Sequence, residues 1–300
     1  MIEPAGITHH TARLNGIRQH WVSAGAGPPV YLLHGFPETW FAWRKQIPVL
    51  AERFTVIAPD LRGYGATDKP AYGYDKRTMA GDVIALMDHL GHDKIALVGH
   101  DRGARVGTRF AKDHRDRIDR LAVLDNIPTR VVADAYDIAL ARLGYWFFTF
   151  LAVPDLPEAL ITGREETWLT HFYRDWSYDP EMLTPEEIAV YVRAYRQPGA
   201  VRGSCMDYRA GAEDAAQDRE DADEPIDCPV LALWGADFDL VGKAFDVLEV
   251  WQQMAHTVRG RAIPQCGHLC QEERPDIVNA ELLEFLSGWN NQHDKKGKRP

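Results

Sequence analysis

The residues best placed to do chemistry lie in the stretch VGHDRGARV, residues 98–106. An apolar run, KIALVG, leads into Gly99-His100-Asp101-Arg102-Gly103, and a helix-length segment follows. A side chain presented between two glycines at a sharp strand-to-helix turn is set up to act as a nucleophile. Here it is a carboxylate, which suits a different reaction from a serine. On saturated carbon bearing a halogen or an epoxide oxygen, a serine would form an ether, and water has no carbonyl to attack. A carboxylate forms an ester, which water can then hydrolyse. Asp101 therefore points to displacement at sp3 carbon rather than to acyl transfer. Its structural alternative is a helix N-cap. Two other strand-like runs also end in reactive residues: His34-Gly35-Phe36 follows PVYLL, and Asp125 closes LAVLD. His268 lies in PQCGHLCQEERP, just before the last helix-length segment.

Arg102 and Arg105 are three apart on the helix that starts at Asp101, so they share a face. A planar guanidinium matches a carboxylate, and each charge-assisted hydrogen bond contributes roughly 1.5–3 kcal/mol. The chain carries a net charge of -10. An anionic substrate would need such local cations to be captured, and an anionic small molecule is the expected partner. The competing reading is that both arginines pair with protein acids. His100 reads as a residue that shapes the turn. CGHLC has no matching second cluster of ligands, so no metal is expected. GYGATDKP lacks the spacing of a phosphate loop, and no cofactor is expected.

Short runs rich in Val, Ile and Leu would position these residues: PVYLLHG, FTVIAPD, IALVGH, LAVLDN and PVLALWG. They lack strict alternation, as strands buried on both faces of a parallel sheet do. Amphipathic segments such as 76–90 and 102–113 separate them, which predicts an α/β fold with helices on both faces. Ligands gather at the carboxyl ends of such strands, where Asp101, Asp125 and Phe36 fall. From about 130 to 211 the chain turns aromatic, with no strand-like runs, and an all-helical cap is expected there. The core would comprise 1–129 and 212–300. The acidic stretch 213–227 reads as a solvated helix face, and the tail NNQHDKKGKRP as disordered. The acidic balance disfavours nucleic acid as a partner. Four cysteines in 300 residues make no disulfide framework, and neither a signal peptide nor a membrane span is evident. A soluble cytoplasmic protein is expected.

HGFPETW, DLRGYGATDKP, GHDRGARV, DYRAG and CGHLCQEERP occur in that order and extend over nearly the whole chain. Together they resemble the aspartate-nucleophile branch of the α/β-hydrolase superfamily, which contains haloalkane dehalogenases, epoxide hydrolases and haloacetate (fluoroacetate) dehalogenases. HDRGAR and CMDYRAG are most similar to the haloacetate dehalogenases. The resemblance implies an α/β-hydrolase fold, a mostly parallel central sheet flanked by helices with an inserted all-helical cap. It implies that His268 activates water for ester hydrolysis. It also implies that the backbone N–H groups of Phe36 and Arg102 hold the oxyanion.

The carboxylate that supports His268 has several candidates. Asp125 is preferred, in the arrangement of the haloacetate dehalogenases. Many relatives instead place the acid a few residues after the Trp-Gly of LWGADFDLV, where Asp237 and Asp239 bracket Phe238. In haloacetate dehalogenases a cap His-Trp pair and a Tyr hold the halide. Trp146 and Tyr208 match that pattern, while Tyr145 stands where those enzymes have His. Tyr145 and Tyr208 also resemble the two phenols with which epoxide hydrolases open the ring. The preferred expectation is a hydrolytic dehalogenase that converts a 2-halo carboxylic acid, such as haloacetate, to glycolate and halide through an aspartyl ester. The alternative is an epoxide hydrolase, with the arginines suggesting a carboxylated epoxide. A non-catalytic binding relative is the third reading. A homodimer formed through the aromatic cap is a further expectation.

Overall fold

The computed structural model describes the backbone of residues 3–296 and side chains through Ser287. Its centre is an eight-stranded sheet in the order β1-β2-β4-β3-β5-β6-β7-β8. The strands are β1 (Thr8–Leu14), β2 (Ile17–Ala24), β3 (Pro29–Leu33), β4 (Thr55–Pro59), β5 (Ile95–His100), β6 (Ile118–Leu124), β7 (Val230–Gly235) and β8 (Val258–Ile263). The β1–β2 and β2–β4 pairings are antiparallel, and every other pairing is parallel. All six residues of β5 are buried, as are Val30–Leu33 of β3. Burial on both faces explains why these strands read as continuous apolar runs. The helices Lys76–Leu90 and Arg102–Asp113 pack on each other, and the second also lies against β5 and β6. Among the described residues, no helix is long and apolar enough to cross a membrane.

Between β6 and β7 the described chain forms helices from Thr129 to Glu220 and no strand. Its first part is interrupted by a wide turn at Ala141–Tyr145, where Gly144 has φ 156°. A Cβ at that position would meet the Leu240 side chain at 2.7 Å. The turn resets the phase of the helix Trp146–Ala152 that follows.

Two expectations are corrected here. The acidic stretch is not a simple solvated face, because Asp214 is buried and accepts from the Lys76 backbone at 2.8 Å. Asp221 pairs with the buried side chains of Arg109 and Lys112. These acids neutralise the cationic face of the helix Arg102–Asp113, whose charges have no water to face. The tail does not begin as disordered chain, since the last helix runs from Pro275 to Lys296. Residues 297–300 of that tail lie outside those described.

Candidate active site

Asp101 follows β5 with φ 46° and ψ -113°. A non-glycine residue held there costs on the order of 1–3 kcal/mol. The flanking glycines allow the close packing that holds it. A Cβ on Gly99 would meet the Ala104 backbone at 2.6 Å, and one on Gly103 would meet the Leu33 carbonyl at 2.2 Å. The Asp101 side chain makes no capping bond to its helix, which removes the N-cap alternative. Its Oδ1 accepts from the Phe36 N–H at 2.8 Å. The Arg102 N–H is the first of the helix donors that lack an intrahelical acceptor. Asn126 steadies the turn, with its Nδ2 donating to the Asp101 carbonyl at 3.0 Å.

His268 approaches Asp101 from the loop after β8. Its Nε2 lies 3.9 Å from Asp101 Oδ2, and its Nδ1 lies 2.5 Å from Asp125 Oδ2. A carboxylate on Nδ1 selects the tautomer that leaves Nε2 free to accept a proton. Asp125 closes β6 at φ 44°, and its Oδ1 accepts from the Gly235 N–H of β7 at 2.9 Å. Burial pushes the Asp125 carboxyl above its ordinary value, and the hydrogen bond and charge of His268 oppose that rise. The other two acids do not meet the histidine. Asp239 is exposed and pairs with Lys243 at 2.7 Å, while Asp237 accepts from the Cys266 N–H at 3.4 Å. Phe238 packs its ring 4.8 Å from that of His268.

The two arginines do not act as a pair. Arg102 turns away and donates from Nε and Nη2 to the Asp207 carboxylate at 3.0 and 2.6 Å, and from Nη2 to the Asp207 carbonyl at 2.7 Å. Lys76 Nζ and the Tyr64 hydroxyl also donate to Asp207, at 2.6 and 2.8 Å. Burial works against ionisation of Asp207, but Arg102 and Lys76 hold its carboxyl far below the usual range. The expected Arg102 carboxylate clamp is thus corrected, because a protein acid already occupies that fork. Arg105 is different. It is 5% exposed, donates from Nη1 to Thr129 Oγ1 at 3.0 Å, and among the described residues has no partner at Nε. Burial, then Arg102, pull its guanidinium below the ordinary value.

The helical insertion closes the site from above. A narrow cavity is lined by Asp101, Arg105, Asp125, Tyr145, Phe147, Trp176 and His268. Tyr145 is buried, and its hydroxyl donates to the Leu240 carbonyl at 2.8 Å. Burial pushes its phenol up, against the pull of Arg105. The Tyr208 hydroxyl is buried and, among the described residues, has no hydrogen-bond partner. Its ring sits edge-on to Phe36 at 5.2 Å, and the Arg102 guanidinium lies 4.6 Å over its face. Burial, then the Asp101 charge, push the Tyr208 phenol well above its ordinary value. Trp146 does not join them, and its expected halide contact is corrected. It is 39% exposed and stacks at 6.1 Å on Phe172, while its neighbour Phe147 points inward. The wide turn at Gly144 buries position 145 and turns 146 outward.

Residues 28–275 match the family model described as alpha/beta hydrolase fold. The chain belongs to the α/β-hydrolase family. It is 43% identical over 284 residues to the soluble epoxide hydrolase of Corynebacterium sp. (strain C12), covering 94% of this chain and 98% of the relative. It is 38% identical over 290 residues to the fluoroacetate dehalogenase of Burkholderia sp, covering 94% of each. Among solved structures, ALR0039 of Nostoc sp PCC 7120 superposes with a TM-score of 0.91 at 39% identity, covering 95% of this chain and 99% of that one.

This α/β hydrolase also uses residues that the sequence reading passed over. Trp176 meets the His268 ring edge-on at 5.0 Å, and its carbonyl accepts the His268 N–H at 2.6 Å. Asp207 directly precedes Tyr208 in the DYRAG motif, so a second function for that motif was open to view. Glu38 stands three residues after Gly35, accepts its N–H at 3.0 Å and bonds His100. A buried acid in HGFPE without an adjacent cation was the available signal.

Proposed function

We propose that this α/β hydrolase opens epoxides to diols, with Asp101 as nucleophile and Tyr145 and Tyr208 as proton donors. The observation that carries this reading is the buried Tyr208 hydroxyl with no partner. Leaving such a group unsatisfied costs about 1–3 kcal/mol unless a ligand oxygen accepts from it. Both phenols are pushed toward the protonated form, which suits donation to an epoxide oxygen. The halide reading needed an indole donor from Trp146, which is on the outer face of its helix.

Asp101 attacks one epoxide carbon, the carbon–oxygen bond breaks, and a tyrosine protonates the freed oxygen. The product of this step is a hydroxyalkyl ester. Water then adds to the ester carbonyl while His268 Nε2 takes its proton, and Asp125 stabilises the charged imidazole. The N–H groups of Phe36 and Arg102 hold the oxyanion. Collapse releases the diol. One proton of the water leaves on the diol through His268, and the other restores the phenol.

A second reading keeps support from Arg105, a buried cation with no protein carboxylate against it. It favours substrates bearing a carboxylate, among them 2-halo acids, which the same nucleophile would dehalogenate. The deciding experiment compares diol formation from styrene oxide and from glycidate with halide release from chloroacetate, using Asp101→Asn as the blank. Diol formation that falls about 10²-fold or more in a Tyr145→Phe/Tyr208→Phe variant is expected. Halide release that survives in that variant, with no diol from either epoxide, would transfer the assignment to halo acids.

A further inference from the structure

His100 precedes the nucleophile and is fully buried, and the mechanism above gives it no part. Its two ring nitrogens both face acceptors. Nε2 lies 2.9 Å from the His268 carbonyl, which can only accept. Nδ1 lies 2.9 Å from Glu38 Oε2. Glu38 already accepts from the Gly35 N–H at 3.0 Å and from Gln271 Nε2 at 2.8 Å, as an ionised carboxylate does. The Gln271 amide is also 3.2 Å from Nδ1, but its shorter bond goes to Glu38. Turning the ring over would put Cδ2 and Cε1 against these two acceptors, so the orientation shown is the one that satisfies both. A ring with two acceptors must carry two protons. His34 behaves oppositely. Its Nδ1 faces the Gly35 carbonyl, and its Nε2 accepts from the Leu61 N–H at 3.0 Å, so one proton satisfies it.

We propose that His100 and Glu38 form a buried ion pair whose cation, by donating to the His268 carbonyl, fixes the backbone of the loop that carries His268. The His100 ring lies 4.6 Å from the His268 ring, which faces Asp125 and Asp101. The charged groups that face His100 are Glu38, Asp101 and Asp125, with His34 and His268 as the neighbouring titratable rings. Burial opposes the His100 charge, but Glu38, then Asp101 and Asp125, raise its pKa to about 9. The same pairing holds Glu38 below its ordinary value despite its burial. His100 is thus a positioning residue that acts through His268.

The ester-hydrolysis role of His268 belongs to the proposed function, so the test reads the resting protein and needs no substrate. Nitrogen-15 NMR of histidine-labelled protein is expected to show both His100 nitrogens protonated at pH 7.5, with the signal assigned by its loss in His100→Gln. In Glu38→Gln, which removes the counter-charge, one of the two His100 N–H signals should be lost at pH 7.5. A neutral His100 at pH 7.5 overturns the ion pair. A His100 that keeps both protons in folded Glu38→Gln overturns the role of Glu38. If Glu38→Gln does not fold, titration of the His100 signals in the unaltered protein makes the same test: both protons should persist up to about pH 9, and loss of one near the ordinary imidazole range overturns the pair. An enzyme inert to every tested substrate leaves the NMR result standing and counts only against the proposed function.

Discussion

The wall beneath the nucleophile and the wall above it differ in how their polar groups are used. Below, on the strand ends, Asp125, Glu38 and His100 have every side-chain nitrogen and oxygen engaged. Above, on the helical insertion, the Tyr208 hydroxyl has no partner among the described residues, and on the core side Arg105 Nε has none either. Saturated hydrogen bonding fixes geometry before a substrate arrives, as attack on an ester requires. Donors left open are costly in the empty protein and regain that cost only when a ligand accepts from them. The lower wall therefore suits the hydrolytic step, which is common to any aspartyl ester. The upper wall selects what forms that ester.

The largest effect should come from removing the one group that both walls address. Asp101→Asn should abolish turnover, by about 10³-fold or more, for any substrate. His268→Gln should still form the ester, because it loses only the base for the second step. Intact-protein mass spectrometry after mixing with styrene oxide should then show the added mass of the epoxide. A variant that accumulates nothing and shows no burst would argue against a covalent intermediate.

The next effect concerns stability. Asp207 binds the two walls together through Arg102, Lys76 and Tyr64. Asp207→Asn leaves buried cations uncompensated and should cost about 3–5 kcal/mol in chemical denaturation. A loss under 1 kcal/mol would mean that water reaches the site. The two buried pairs also have opposite signatures in pH. Asp207 is depressed, so its contribution is present above the ordinary carboxylate range and is lost as pH falls through its lowered value. His100 is raised, so its contribution is present below the ordinary imidazole range and fades as pH rises through about 9.

Tyr208→Phe would sharpen the comparison by separating activity from stability. It removes an unsatisfied hydroxyl, so the folded protein should keep its stability or gain about 1 kcal/mol. Diol formation should fall about 10²-fold. A destabilised Tyr208→Phe would show that the hydroxyl has a structural partner after all.

Asp101, Asp125, Phe36 and His268 were legible in the sequence, while Glu38 and much of the upper wall were not, for a physical reason. Asp101, Asp125 and Phe36 stand at strand ends, and short apolar runs mark strand ends clearly. His268 sits beside a helix start that its loop announces. On the insertion, which residue faces the nucleophile depends on helical phase, and the wide turn at Gly144 shifts it. That shift decides that Phe147 rather than Trp146 points inward. The partner of Arg102 lies 105 residues away in sequence, so no local pattern could reveal that its fork is occupied. The same holds for Asp214 and Asp221, whose acidic stretch reads as solvated until the cationic helix beneath it is seen.

Arg105 gives the smallest effect and the finest test of the upper wall. A buried cation with one hydrogen bond and, among the described residues, no carboxylate within ion-pair distance contributes little to folding, and replacement by an apolar side chain of similar length is often neutral or stabilising. Arg105→Met should therefore leave the denaturation midpoint unchanged or raise it slightly. Its consequence should appear in selectivity. If the guanidinium faces a substrate carboxylate, kcat/KM for glycidate should fall about tenfold or more while that for styrene oxide holds. Equal losses on both epoxides would mean that Arg105 shapes the cavity through Phe148, over whose ring it lies at 5.3 Å, and does not read charge. The ratio of the two substrates decides between these roles, because a packing defect affects both epoxides and a lost ion pair affects only the acid.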